Sequence, residues 1–258
     1  MYEIKNLSLK IGKKNILKNI NLEIKERNFL TILGANACGK TTLLRAINGN
    51  IANYKGKIHL ENKDISSYCP KHLASKRAVL SQAFSFSYSF KLHEVIELGF
   101  FASELNKNEK DKVLEIIYDR LELFEIKNMP YQSLSGGQKQ KVQLARILVQ
   151  IYASKQKQKY LLLDEPTLNL DVHYQYKILD LVKDLVQELG LGVCAVLHDL
   201  NQAFLYSDEI AMIKDGKIKY FGKAKEVLNP CNIFEIFRIK SDFVYSKSLK
   251  KDILVLAS

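Results

Sequence analysis

The chain has 258 residues, 47% of them hydrophobic, and a formal net charge of +11 at pH 7. That length suits one large domain or two small ones with a packed core, and no apolar run approaches the ~18 residues of a membrane-spanning helix. The excess of lysine fits nucleic acid, anionic lipid or no specific partner, but no interleaving of aromatic and basic residues suggests nucleic-acid stacking.

Taken in chain order, Ile4, Leu7 and Leu9, then Ile20, Leu22 and Ile24, read as strands of a small antiparallel sheet. The segment Asn28 to Leu33 is a compact apolar strand, and Lys40 to Asn48 has helical spacing. Strands resume at Gly56 to Leu60 and at Val79 to Gln82. Between Lys91 and Leu123 the pattern turns helical, as in a helical subdomain set into a sheet domain, and Ser135 to Gln150 is a further helix. Beyond it the chain reads strand, helix, strand over 160 to 164, 172 to 189 and 192 to 197, and Asp215-Gly216 between apolar runs marks a hairpin. Alternating strands and helices imply a mainly parallel sheet covered by helices. The start, Met1-Tyr2-Glu3-Ile4-Lys5-Asn6, lacks the apolar stretch of a secretion signal, so a cytoplasmic protein is expected. Four scattered cysteines without C-x-x-C spacing read as reduced, structural thiols. The runs Lys155 to Lys159 and Lys247 to Lys251 read as solvated surface, with acidic headgroups as the alternative contact.

Three stretches carry chemistry. Gly34-Ala35-Asn36-Ala37-Cys38-Gly39-Lys40-Thr41 has the G-x-x-x-x-G-K-[ST] spacing of a phosphate loop, between a strand and a helix as that motif requires. Its glycines let the backbone approach phosphate oxygens, which the loop amides and the helix N-terminus cradle. Lys40 is expected on the outer phosphates and the Thr41 hydroxyl on Mg²⁺, with Thr42 completing the nucleotide contacts. Cys38 reads as an inert packed thiol, although its place beside the phosphates leaves thiol sensitivity open. The second stretch, Tyr160 to Asp164, is an apolar strand ending in an acid that should emerge at the C-terminal edge of the sheet and hold Mg²⁺. Glu165, pointing elsewhere, is the candidate to orient or deprotonate an attacking water. The third, Gly192 to Leu197, delivers His198, which can sense a γ-phosphate and hold that water.

Three further signals accompany these. Gln82 ends the strand before the helical segment, where a glutamine can touch Mg²⁺ or water and report nucleotide state. Phe84, Phe86, Tyr88 and Phe90 alternate with serines, so one face is aromatic; this is either a half-buried strand or a docking surface for a partner. Ser135-Gly136-Gly137-Gln138 opens a helix whose N–H groups and positive end are free for an anion.

Together with Leu134, this ordered set resembles the ATP-binding subunits of ABC transporters over nearly the whole length, with Gly34 to Thr41 similar to Walker A, Gln82 to the Q-loop, Leu134 to Gln138 to the signature, Leu161 to Glu165 to Walker B, Leu170-Asp171 to the D-loop and His198 to the switch histidine. The resemblance implies an α/β P-loop ABC ATPase core, residues 1–258, with a mainly parallel sheet, a small antiparallel sheet and a helical subdomain inserted at about 84–150. It also implies ATP and Mg²⁺ as cofactors and a homodimer in which Ser135 to Gln138 meet the γ-phosphate held by the second copy. The partners implied are two integral-membrane permease subunits at the cytoplasmic face of the bacterial inner membrane and, indirectly, a periplasmic or surface substrate-binding protein. Where the family has an aromatic residue to stack on adenine, this chain has Ile11.

A narrower resemblance is to the metal-chelate importers, which take up haem, ferric siderophores and cobalamin, through Val196 to Ala203; within that group the haem importers are most similar, through Arg77 to Gln82, Phe90 to Gly99, the spacer Gln150 to Lys159 and Leu170 to His173. Gly99-Phe100 departs from that subgroup's pattern. Haem import is therefore expected, with siderophore or cobalamin import and a soluble ABC ATPase as alternatives.

Overall fold

The computed structural model describes residues 1–81, 89–248 and 250–257. In β1 (Tyr2–Ile11) and β2 (Lys14–Ile24), alternate residues turn inward, as a half-buried strand requires. The phase changes between Ile4 and Leu7, where Asn6 adopts a φ of +53° and the pairing register shifts. An extra residue of this kind re-aims every later side chain, so Leu7 and Leu9 are buried on the same face as Tyr2 and Ile4. After β3 (Asn28–Gly34) and α1 (Lys40–Ile47), the strands β4 (Lys55–Leu60) and β5 (Lys63–Asp64) complete an antiparallel sheet of order β2-β1-β4-β5.

The chain then runs through α2 (Pro70–Lys76), β6 (Arg77–Leu80), α3 (Leu92–Glu97), α4 (Lys107–Leu121), α5 (Gly136–Ala153) and β7 (Tyr160–Asp164). It continues as α6 (Val172–Glu188), β8 (Gly192–Val196), α7 (Leu200–Tyr206), β9 (Glu209–Lys214) and β10 (Lys217–Lys223). The second sheet has the order β10-β9-β3-β8-β7-β6; its strands are parallel except for the β9–β10 hairpin at one edge. Asp215 and Gly216 turn that hairpin with φ of +50° and +76°, the left-handed pair that a tight two-residue turn needs. The chain ends in α8 (Ala224–Val227), α9 (Pro230–Phe237) and the hairpin of β11 (Lys240–Ser246) with β12 (Lys251–Ala257).

The parallel sheet is covered on both faces. Along β7, Leu161 and Leu163 enter one core with α3 to α6, while Tyr160 and Leu162 enter the other with α1 and the antiparallel sheet. β8 divides in the same way, Val193 and Ala195 against Cys194 and Val196. This two-sided burial is why both strands are continuous apolar runs in sequence. The helices α3, α4 and α5 share their core with one face of the sheet.

The helical stretch between Lys91 and Leu123 is broken: α3 passes into a 3-10 turn, Leu98–Ala102, before α4 starts at its Asn106 cap. Gly99 lets this turn lie against α5, since a Cβ there would sit 2.3 Å from the Arg146 carbonyl oxygen and 2.9 Å from Val149 Cβ. Sequence periodicity missed β5, α2, α7, α8, α9 and the last hairpin, although Asn229-Pro230 is a cap-and-proline start signal and the Asn229 side chain does cap α9. Gly99→Val is expected to lower the thermal midpoint by several degrees, because overpacking typically costs about 1–3 kcal/mol and each kcal/mol moves a chain of this size by roughly 2–4 °C. An unchanged midpoint in calorimetry would mean that the turn moves away from α5 freely.

Candidate functional site

Parallel strands bring their C-terminal ends to one sheet edge, and here that edge collects β3, β7 and β8. Asp164 pairs with Val196, and Val196 with Ile32, so the phosphate loop, Glu165 and His198 all leave the sheet side by side. The loop is built by its glycines. Gly34 has a φ of +156°, and a Cβ on it would meet the Ile213 carbonyl oxygen at 2.4 Å and Cys38 Sγ at 2.7 Å. Gly39, at φ +111°, begins α1. Ala35, Asn36 and Ala37 form the exposed rim of the loop, whereas Lys40 is only 5% exposed. Its ammonium donates to the carbonyls of Gly34 at 2.8 Å and Ala35 at 3.0 Å, which holds the charge directly under the loop. Thr42 follows at the start of α1, half-buried. Cys38 is half-buried, and burial raises its thiol pKa, in keeping with an inert cysteine.

The Thr41 hydroxyl donates to Asp164 Oδ1 at 3.2 Å, joining the phosphate loop to the end of β7. Asp164 is 3% exposed. Burial raises its pKa, and the Glu165 carboxylate adds to the rise, while the Thr41 hydrogen bond, Arg45 and His198 oppose it. A hydroxyl beside a desolvated carboxylate is an oxygen donor set that suits Mg²⁺, which binds one or two carboxylates and completes its shell with water and phosphate. Among the described residues no cluster of three or more His, Cys, Asp or Glu could hold a metal.

Glu165 turns away from Asp164 because its backbone adopts φ +54°, a left-handed conformation. Its amide donates to the Val196 carbonyl at 3.2 Å. Its carboxylate Oε1 lies 2.5 Å from His198 Nε2, so with Glu165 ionised the imidazole N–H donates to it. Glu165 is 14% exposed and His198 47%, which leaves the pair open at the sheet edge. Gln82 lies outside the described residues, as do Phe84, Phe86 and Tyr88; Phe90 packs against the core.

The Ser135 to Gln138 segment folds into a reciprocal cap. Ser135 Oγ accepts from the Gln138 amide at 3.2 Å, and Gln138 Oε1 accepts from the Ser135 amide at 2.9 Å. Gly136 and Gly137 form the first turn of α5 and sit against Asn169, whose carbonyl would be 3.1 Å from a Cβ on Gly137. This segment lines one groove with Asn169, Leu170 and Asp171, while the phosphate loop lines another with Lys14, Ile16 and Asp215. The two segments thus open into different grooves of one chain. Ile11 is 57% exposed at the end of β1, and Ile16 rather than Ile11 lines the groove beside the loop.

Three glutamines join the site through contacts that sequence spacing does not reveal. Gln140 on α5 donates to the carbonyls of Glu165 at 3.3 Å and Pro166 at 3.1 Å. Gln175 donates to the Leu170 carbonyl at 3.0 Å, and buried Gln202 on α7 donates to Gln175 Oε1 at 2.7 Å. Gln202 falls within the Val196 to Ala203 stretch of the narrower resemblance, four residues after His198, but its spacing alone assigns it no contact.

Because the folded state disfavours ionised Asp164, this group subtracts stability above its raised pKa, and the loss is recovered as pH falls through that value. Asp164→Asn is therefore expected to raise the thermal midpoint at pH 7 by about 2–4 °C per kcal/mol relieved while removing nucleotide turnover. The gap to the parent protein should narrow as pH falls toward the raised pKa of the Asp164 carboxyl. A midpoint at pH 7 no higher than the parent's would contradict the cost assigned to this buried carboxylate.

The ABC transporter family profile matches residues 17–168. The hemin import ATP-binding protein HmuV of Shewanella denitrificans is 34% identical over 255 residues, covering 99% of this chain and 100% of that protein. The protein of the same name from Pseudoalteromonas translucida is 37% identical over 240 residues, 92% of each chain. Among solved structures, the dimeric structure of a bacterial ABC transporter cassette is 30% identical, with a TM-score of 0.75 over 87% of this chain and 99% of that one. An inward-facing putative metal-chelate type ABC transporter, 24% identical, shares the fold with a TM-score of 0.81 over 100% of this chain and 97% of the other. With a family match over more than half its length, on a fold that carries the phosphate loop, Asp164 and Glu165 to one edge, the chain belongs to the ATP-binding, ATP-hydrolysing subunits of the ABC transporter family.

Proposed function

We propose that this chain is the energy-coupling ATPase of a haem importer, acting as a dimer of two copies beneath two permease subunits on the cytoplasmic face of the bacterial inner membrane. The observation that carries the ATPase part is the placement of the Glu165–His198 pair beside the phosphate loop and the Thr41–Asp164 contact. The haem part rests on the hemin import proteins that align with 99% and 92% of this chain. Among the described residues no helix is long and apolar enough to cross a membrane.

In this reading the amides of Ala35 to Gly39 and the Lys40 ammonium bind the phosphates, and α1 adds the positive end of its dipole. Thr41 and Asp164, with Gln82 as a further contact, would hold Mg²⁺, which when bound would supply positive charge against the nucleotide's phosphates. Glu165 accepts a proton from the attacking water, or orients it, while His198 fixes the carboxylate and reaches the γ-phosphate. The products are ADP and inorganic phosphate. Ser135, Gly136, Gly137 and Gln138 contribute their amides and hydroxyl to the γ-phosphate bound by the second copy, which explains why the two segments open into separate grooves. Nucleotide thereby bridges the subunits, and hydrolysis removes the bridge.

An open groove of about 620 Å³, lined by Asn48, Tyr54, Tyr68, Arg77, Arg146 and Gln150, lies between the end of α1 and the helices, and we assign it to the permease. It adjoins β6, the strand that leads into the aromatic stretch beginning at Phe84.

Glu165→Gln is expected to keep ATP binding and to lose hydrolysis by at least ~10²-fold, the lower end of what a positioned base contributes. With ATP the variant should elute as a dimer in size-exclusion chromatography; near-parental turnover would remove Glu165 from its role. For the cargo, a deletion strain offered haem as its only iron source should fail to grow and should recover with the gene restored. Normal growth on haem with failure on a ferric siderophore would transfer the assignment to that cargo.

A further inference from the structure

The base assigned above sits in a backbone conformation that a glutamate does not choose by itself. A non-glycine residue in the left-handed region is disfavoured and persists only where its surroundings hold it. Three contacts hold Glu165 at φ +54°. Its amide donates to Val196, its carbonyl accepts from the Leu168 amide at 3.2 Å, and the same carbonyl accepts from Gln140 Nε2 at 3.3 Å. The first ties Glu165 to β8, just before His198, and the second closes its own turn. Only the third comes from a helix that also carries an anion-binding segment.

Gln140 lies five residues after Ser135, a little over one turn into α5. It spans two consecutive carbonyls, Glu165 and Pro166, with one amide group. The Glu165 carbonyl thus accepts from both the Leu168 amide and α5, and the Pro166 carbonyl accepts from α5. A shift of α5 along or about its axis therefore pulls on the turn that aims the Glu165 carboxylate. The N-terminus of the same helix is the segment assigned to the second copy's nucleotide.

We propose that Gln140 is a positioning residue for Glu165, and that through it the seating of Ser135 to Gln138 on the partner's nucleotide sets the aim of the base in its own site. This rests on Glu165 acting as base and on the signature segment acting across the dimer. Gln140 touches neither water nor phosphate; it acts on the backbone turn that does the aiming.

The test compares ATP turnover, ATP dependence and thermal midpoint of the purified chain with those of Gln140→Met, Gln140→Lys, Glu165→Gln and the double variant Gln140→Met/Glu165→Gln. Methionine keeps the length of the side chain and removes the donor; lysine restores a donor to the two carbonyls. The expected result for Gln140→Met is a kcat lower by ten- to about a hundredfold, the scale of a misplacement of ~1 Å, with KM and thermal midpoint close to parental. Gln140→Lys should recover most of that loss. The double variant should turn over no more slowly than Glu165→Gln, because a residue acting through Glu165 has nothing left to act on. Parental kcat in Gln140→Met with an inactive Glu165→Gln would overturn the role of Gln140 and leave the base in place. A fall in kcat that follows the thermal midpoint and is not rescued by lysine would overturn it as well, in favour of plain helix packing. Turnover retained by Glu165→Gln would bring down the base assignment itself, and this inference with it.

Discussion

The arrangement of the site depends on the parallel alignment of β3, β8 and β7. In a parallel sheet every strand releases its chain at the same edge, so three connections that are distant in sequence emerge together. The first is the phosphate loop, the second carries Glu165 and the third His198. The register is set by burial. Both faces of the sheet are covered, so slipping any of these strands by one residue would exchange the two cores. Tyr160 and Leu162 would then face the helices, and Leu161 and Leu163 the antiparallel sheet. The contacts of Thr41 with Asp164 and of Glu165 with His198 follow from that register.

Around this edge the protein keeps charge in places that do not favour the isolated chain. Asp164 is buried and next to a second carboxylate, and Lys40 is buried under its own loop. Each is tolerated because a polar partner is within reach, a hydroxyl for the acid and two carbonyls for the ammonium. The same groups are the ones a phosphate and a divalent cation would satisfy. Binding then relieves a cost that the folded chain already carries.

The segments that face outward are joined to this edge by amide side chains rather than by ion pairs. Gln140 links α5 to the Glu165 turn, and Gln175 with Gln202 links the Leu170 carbonyl to α7, the helix that follows His198. Neutral amides suit such links. They donate and accept at once, they need no counter-charge when buried, and salt does not screen them. One connection of this kind runs from the helix opened by Ser135 to the Glu165 turn, and the other from Leu170 to α7.

Much of the fold was legible along the chain because its causes are local. Alternation in β1 and β2, the apolar runs of β3, β7 and β8, the Asp215-Gly216 turn and the glycine spacing of the phosphate loop are properties of neighbouring residues, and they mark strands, turn and loop without tertiary knowledge. The two acids after β7 and the histidine after β8 are legible for the same reason, since the end of a buried strand is visible as the end of an apolar run. The break between α3 and α4 was not legible, because Leu98–Ala102 takes its 3-10 form from lying against α5. Nor were Gln140, Gln175 and Gln202 distinguishable from surface glutamines, since what gives each its role is a carbonyl or amide brought to it from 5 to 27 residues away by helix packing. Local pattern marked the residues expected to bear the chemistry; only the packing of α5, α6 and α7 against the sheet decided which side chains hold them in place, because a hydrogen bond between segments exists only once both have been positioned.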